Sequence, residues 1–282
     1  MSSIQHLKSL PFISIMTLFI FFSTTIFAKS EKSPWQGPYI GGYFGGSWWD
    51  NHLSTSAGTV TDTSYFTTPM DIRALEGVGS STDKPVSNIA GMTLGHDWEH
   101  KKMIYGIVVD YGVLSMNSSA SDSQNYVDNA GAYHINTSIS TNWLLTLRGR
   151  LGYQINSSWP SLLYATGGMA MTQLKVKNHF NDNLSYEGSG SSQTSGNQIG
   201  WTIGVGIELA KWQHLTLGAE YLYIQVPSLE TRTQVANSAG GFGIPPNSLT
   251  SPFETTGNFH ANLIKIGLNY RFDESIGLIT RE

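Results

Sequence analysis

The last apolar run of the chain, Asn262 to Phe272, sorts its side chains onto two faces with a period of two. Ile264, Ile266, Leu268, Tyr270 and Phe272 form one wholly apolar face, while Leu263, Lys265, Gly267, Asn269 and Arg271 form the other. Successive side chains of a β-strand point to opposite sides of the sheet, so this pattern specifies a strand. A complete apolar face opposite one with two full charges suits a strand with lipid on one side and a wet or salt-bridged interior on the other.

The same two-faced pattern recurs from Gly37 onward, and no stretch shows helical periodicity long enough to specify a helix. Strands are expected at 39–49, 89–99, 103–116, 138–154, 162–175, 199–209, 215–226 and 259–272, each long enough to cross a bilayer when tilted. Links alternate in length. Those at 100–102, 155–161 and 210–214 are short, whereas 50–88, 117–136, 176–198 and 228–258 are long and rich in Ser, Thr, Asn, Asp and Gly. Transmembrane barrels alternate short periplasmic turns with long extracellular loops in this way, and compact soluble domains seldom do. The expected fold is therefore all-β, an eight-stranded antiparallel up-and-down transmembrane β-barrel spanning 29–272.

An apolar segment from Leu10 to Phe27 follows Lys8, and Ala28 precedes the polar run Lys29 to Ser33. This layout predicts a secretory signal peptide over 1–28, with a single membrane anchor as the competing reading. The absence of cysteine removes disulfides and thiolate chemistry, and a net charge of -4 leaves no basic footprint for nucleic acid. Mean hydropathy is slightly negative, which excludes a bundle of transmembrane helices.

Tryptophans fall near the ends of the expected strands. Trp48, Trp98, Trp143, Trp201 and Trp212 are candidates for the interfacial belts, where amphipathic rings prefer the headgroup layer. The segments Trp35-Gln-Gly-Pro-Tyr-Ile-Gly-Gly-Tyr-Phe-Gly-Gly-Ser-Trp48, Leu147-Arg-Gly-Arg-Leu-Gly-Tyr153 and Leu163-Tyr-Ala-Thr-Gly-Gly-Met-Ala170 are similar to the first, fourth and fifth strands of a known family. Gly200 to Glu208, Gly218 to Tyr223 and Leu268 to Phe272 resemble its last three. That family is the OmpA-like, opacity-type outer-membrane β-barrel proteins, including the outer membrane immunogenic type. The resemblance spans the mature chain but is confined to strands. It implies a Gram-negative outer-membrane location, no shared catalytic residues, assembly by the barrel-assembly machinery, and Tyr270 with Phe272 as an assembly signal. Phe272 is not terminal here, because 273–282 follow as an expected short periplasmic tail.

Turning each apolar face to lipid sends Asp110, Arg148, Arg150, Glu208, Glu220, Lys265 and Arg271 inward. Buried charges are tolerated when paired, so a salt-bridged, side-chain-filled lumen is expected, with a narrow ion path as the alternative. Lumen-facing glycines leave room for the long arms.

Other constellations read as structural. His96 and His100 of His96-Asp-Trp-Glu-His100 lie about 13 Å apart on a strand, too far to share a metal, and Asp97 and Glu99 point the other way. Gly41-Gly-Tyr-Phe-Gly-Gly46 lacks the lysine and helix of a phosphate loop. His134 and His260 sit near loop–strand junctions, yet no G-x-S-x-G motif supports a lipid-modifying enzyme. No catalytic, metal or cofactor site is expected. The expected function is a non-enzymatic surface scaffold whose loops contact a host or another surface, with a small porin or a lipid enzyme as alternatives. Expected partners are outer-membrane lipid, lipopolysaccharide, the barrel-assembly machinery and host surface molecules.

Overall fold

The computed structural model describes residues 33–58, 64–66, 72, 76, 82–83, 86–126, 131–155, 159–185, 187–210, 212, 214–240 and 244–272. The expected signal peptide at 1–28 and tail at 273–282 lie outside these residues.

Among the described residues nine strands make one antiparallel sheet: β1 (Gly37–Ala57), β2 (Thr82–Asp83), β3 (Val86–His100), β4 (Met103–Asn125), β5 (Ala132–Ile155), β6 (Ser161–Asp182), β7 (Gly188–Leu209), β8 (Leu215–Asn237) and β9 (Thr250–Arg271). Long strands pair with their sequence neighbours, and β9 returns to β1 from Tyr39↔Arg271 to Ala57↔Phe253, closing a ring. The expectation of eight strands is therefore corrected. Eight long strands form the ring and a ninth, the two-residue β2, pairs with β1 at Asn51↔Asp83 and His52↔Thr82. Those pairs continue the register of β1 with β3, which ends at Trp48↔Val86.

Strand length is the second correction. β4 to β9 run to 22–24 residues, roughly 75 Å at 3.3 Å per residue, although nine to eleven tilted residues suffice to cross a bilayer. Much of what the sequence assigns to long loops is sheet. The outward face explains where membrane ends. It stays apolar up to Val113, Met171, Ile199, Tyr223 and Ile264, then turns to Ser115, Gln173, Asn197, Gln225 and Asn262 on the same strands. Ladder registers slip at about this level, between Val113 and Met116, between Ser140 and Leu144, and between Val226 and Leu229, where Pro227 removes a donor. The outermost strand halves thus form a β-extension beyond the lipid belt. At the other end the links are short: His100↔Met103 closes a two-residue hairpin with Lys101 at φ 59°.

Candidate functional site: a closed interior beneath an extracellular cap

The inward side chains stack in layers, beginning with charge. Four residues on every second strand, Asp97 of β3, Arg150 of β5, Glu208 of β7 and Arg271 of β9, form a closed alternating quartet. Arg150 lies 3.4 Å from Asp97 and 2.8 Å from Glu208, and Arg271 lies 2.9 Å from each acid. Beside it, Asp110 of β4, Arg148 of β5, Glu220 of β8 and Lys265 of β9 make a second quartet. Lys265 Nζ is 2.6 Å from Asp110 and 2.7 Å from Glu220, its direct cross-strand partner; Arg148 is 2.7 Å from Glu220 and also pairs with Asp110. Every member is buried.

Desolvating so many ions is costly, and mutual pairing plus neutral donors offset it. Thr93 donates to Asp110 at 2.6 Å, and Arg271 Nη1 donates to the Trp35 carbonyl at 2.6 Å. Guanidinium and ammonium faces rest on rings: Arg150 is 4.3 Å from the Tyr164 centroid, Arg271 4.6 Å from Tyr39, and Lys265 4.6 Å from Tyr43. Glycines make this possible. A Cβ at Gly95 would strike the Tyr39 ring, and one at Gly206 the Tyr164 ring. A cavity of about 30 Å³ lies among these groups, room for one or two waters but not for a channel.

All seven charges that the sequence sends inward are placed in these quartets. Sequence reasoning missed an eighth, Asp97. It counted three acids against four bases, and Asp97 brings the two quartets to charge balance. Its signal was present, because on β3 Leu94, His96 and Trp98 share the outward face and leave Asp97 on the inner one. Tyr39, Tyr43 and Tyr164 were missed as well.

On the extracellular side of the quartets lies an apolar layer that includes Trp49, Ile89, Leu114, Leu144, Leu174 and Ile224. Beyond it is a layer of hydroxyls and amides. Asn178 donates to Thr255 at 3.1 Å, and Thr255 meets Thr55 at 3.2 Å; Ser192 meets Thr233 at 2.6 Å. The outermost layer is aromatic. Phe180 packs against Phe66, Tyr133 and Phe253, with centroids 5.6, 6.1 and 6.5 Å away. Tyr65 and Phe66 come from the β1–β2 link, and the Tyr65 and Tyr126 hydroxyls each donate to Asp182 Oδ2 at 2.6 Å. Asp182 Oδ1 accepts the Gly188 N–H at 2.7 Å. At the opposite end Trp35, Ile104, Leu162, Tyr164 and Ala210 close the interior.

On the outer wall, Trp98 and Trp212 lie at the short-turn end, where Trp98 stacks on Tyr105 with centroids 5.8 Å apart. Trp48, Trp143 and Trp201 point outward within β1, β5 and β7, near the level at which the apolar belt gives way to polar residues. They stand well inside strands rather than near strand ends, because the strands continue beyond the belt. Tyr270 and Phe272 pack edge to face, 5.1 Å between centroids, beside the β1–β9 seam. His134 meets Ser123 at 2.8 Å and Ser121 at 3.2 Å, and His260 meets the Tyr223 hydroxyl at 2.9 Å. No group of three or more His, Asp or Glu side chains suited to a metal ion occurs among the described residues.

A closed sheet with an apolar outer belt and a charged, filled interior matches a known family: residues 14–272 fit the outer membrane protein beta-barrel domain. The chain belongs to this family. It is 29% identical over 252 residues to the 31 kDa outer-membrane immunogenic protein of Brucella melitensis biotype 1, covering 87% of each chain. It is 27% identical over 236 residues to the 25 kDa outer-membrane immunogenic protein of Brucella abortus biovar 1, covering 78% of this chain and 85% of that one. Among solved structures, Ail, the attachment invasion locus protein of Yersinia pestis, aligns with a TM-score of 0.34 and 12% identity over 84% of this chain and 99% of its own. This is an outer-membrane β-barrel protein of the opacity type, with its interior filled by polar and aromatic side chains.

Proposed function

We propose that the protein is a non-catalytic scaffold that anchors in the outer membrane and raises a β-extension for contact with other surfaces. The observation that carries this reading is the pairing of a filled interior with strands that continue as sheet well beyond the lipid belt. Two ion quartets, an apolar layer and an aromatic cap lie in series along the interior, so the fold invests its side chains in rigidity rather than in a path. The long, regular extension holds its connections far from the lipid, where binding residues on a rigid scaffold are best presented. The Brucella relatives are named as immunogenic outer-membrane proteins, which fits a surface-displayed role for this chain. Its partners on this reading are outer-leaflet lipid, the assembly machinery that inserts it, and molecules of an apposed surface.

Two measurements test the reading. Purified protein in planar bilayers gives no steady single-channel steps; regular steps would overturn it. Replacing the β8–β9 connection, Ser238 to Leu249, with a short Gly-Ser link lowers attachment of expressing cells to a host-cell layer and leaves membrane insertion unchanged. Equal attachment by the two strains refutes the contact role.

A further inference from the structure

The polar collar above the belt differs from one side of the ring to the other. On β8 and β9 its charges are mixed and partly paired, with Arg232 lying 3.8 Å from Glu254 and Glu230 nearby. On β6 they are all basic. Lys175, Lys177 and His179 point outward in succession, and neither lysine has an ion-pair partner among the described residues. Their cross-strand neighbours are uncharged and polar. Lys175 lies between Ser140 of β5 and Ser195 of β7, Lys177 between Ser138 and Gln193, and His179 between Asn136 and Ser191.

Height decides what this surface meets. Leu145, Met171 and Ile199 make the last outward row that is apolar on all three strands, with Trp143 alone standing above it on β5. Lys175 is four residues beyond Met171, roughly 13 Å along the strand and about 10 Å along the membrane normal after a 40° tilt. Headgroups occupy the first 5–8 Å or so outside the hydrocarbon. A lysine stem folded back along the wall puts its ammonium within that zone, as such side chains do at membrane interfaces. The two lysines are about 7 Å apart on one face, close enough to serve one phosphate or two neighbouring ones.

We propose that the β5–β6–β7 face just above the belt binds a phosphorylated glycolipid of the outer leaflet. Lys175 and Lys177 hold its phosphate, and Ser138, Ser140, Gln193 and Ser195 meet its sugar hydroxyls. The lysines supply charge and salt sensitivity, and the serines and glutamine supply donors and acceptors at sugar spacing.

The test uses the whole protein folded in detergent micelles, with folding verified by its heat-dependent gel mobility. Three probes are titrated: a bisphosphorylated lipid A, the same lipid dephosphorylated, and inorganic phosphate. Lys175→Gln with Lys177→Gln weakens binding of the phosphorylated lipid on the order of 25-fold, about fivefold per lysine near an anionic surface. Arg232→Gln, on the collar of β8 two strands away, binds as the parent does, and the Lys175→Arg, Lys177→Arg variant retains binding. Parent binding weakens as salt is raised. Equal binding by the double glutamine variant, or by the dephosphorylated lipid, overturns the proposal. Displacement of the lipid by inorganic phosphate at matching concentration overturns the assignment to a membrane lipid.

Discussion

Arg271 Nη1 lies 2.9 Å from Asp97 Oδ2, tying the last strand of the sheet to β3 across the interior. Asp97 also faces Arg150 at 3.4 Å, so one carboxylate serves two buried guanidinium groups. Asp97→Ala leaves Glu208 as the one carboxylate of the quartet that both guanidinium groups still share. Removing one partner of a buried pair costs about 3–5 kcal/mol, which should appear as a lower urea midpoint for the detergent-folded protein. The Asp97→Ala, Arg271→Ala double variant should lose less than the sum of the two singles, because each single leaves an unpaired charge behind. Strict additivity would show that the pair does not act as a unit.

How much of this was legible in the chain follows from amplitude. Where the outer face is apolar and the inner face charged, as at Ile264–Lys265–Ile266, period-two alternation assigns both faces at once. In the extension that contrast vanishes. Ser189 to Ser195 sets Ser and Gln outward against Gly, Ser and Thr inward, so hydropathy gives no period and the segment reads as a loop. The aromatic cap was illegible for another reason: Tyr65 meets Asp182, 117 positions away, and nothing local in either segment announces the contact. Asp97 was legible by alternation, but its histidine-rich neighbourhood drew attention to metal spacing instead.

The extension makes a sharper proteolysis prediction than loops would. On intact cells, protease should spare the strand portions 176–182, 188–198 and 228–237, because each is hydrogen-bonded into a ladder or packed against one. Cuts among the described residues should concentrate at the β6–β7 turn around Asn183 to Glu187 and in the β8–β9 connection at 238–249. Mass spectrometry of the released peptides decides the matter. Peptides ending within 188–198 would show that the sheet does not persist above the membrane.

The cap should respond to alkali. Burial, reinforced by the hydrogen bond to Asp182, holds the Tyr65 hydroxyl protonated well above its ordinary value of 10.0. A group whose folded value is raised contributes stability that is complete below its unfolded value and is lost as pH climbs beyond it. Tyr65→Phe removes the hydrogen bond to a carboxylate, a loss of roughly 1.5–3 kcal/mol. Near-ultraviolet circular dichroism of the aromatic cluster should weaken in this variant at pH 8. In the parent the same loss should appear only as pH rises above 10. Identical spectra for parent and variant at both values would remove Tyr65 from the cap.

The final aromatic pair stands where the sheet closes. The Phe272 N–H donates to the Pro38 carbonyl at 2.9 Å, and the Arg271 N–H to the His214 carbonyl at 2.8 Å, so the end of β9 is bonded toward both neighbouring strands. Tyr270 and Phe272 are outward and exposed, forming an aromatic edge at the short-turn end. An assembly machine that recognises a terminal strand would find this edge accessible before β9 pairs with β1, and lipid would cover it afterwards. Phe272→Ala should therefore reduce the inserted fraction in cells severalfold while lowering the unfolding free energy of the detergent-refolded protein, read from urea titration, by under about 1 kcal/mol, as for a half-exposed side chain. Deleting residues 273–282 should leave insertion unchanged, since the signal on this reading lies in β9 and its flanking Phe272. A large gain in insertion on deletion would mean that those residues mask it. An equal loss in cells and in refolding by Phe272→Ala would mean that the ring is packing rather than a signal.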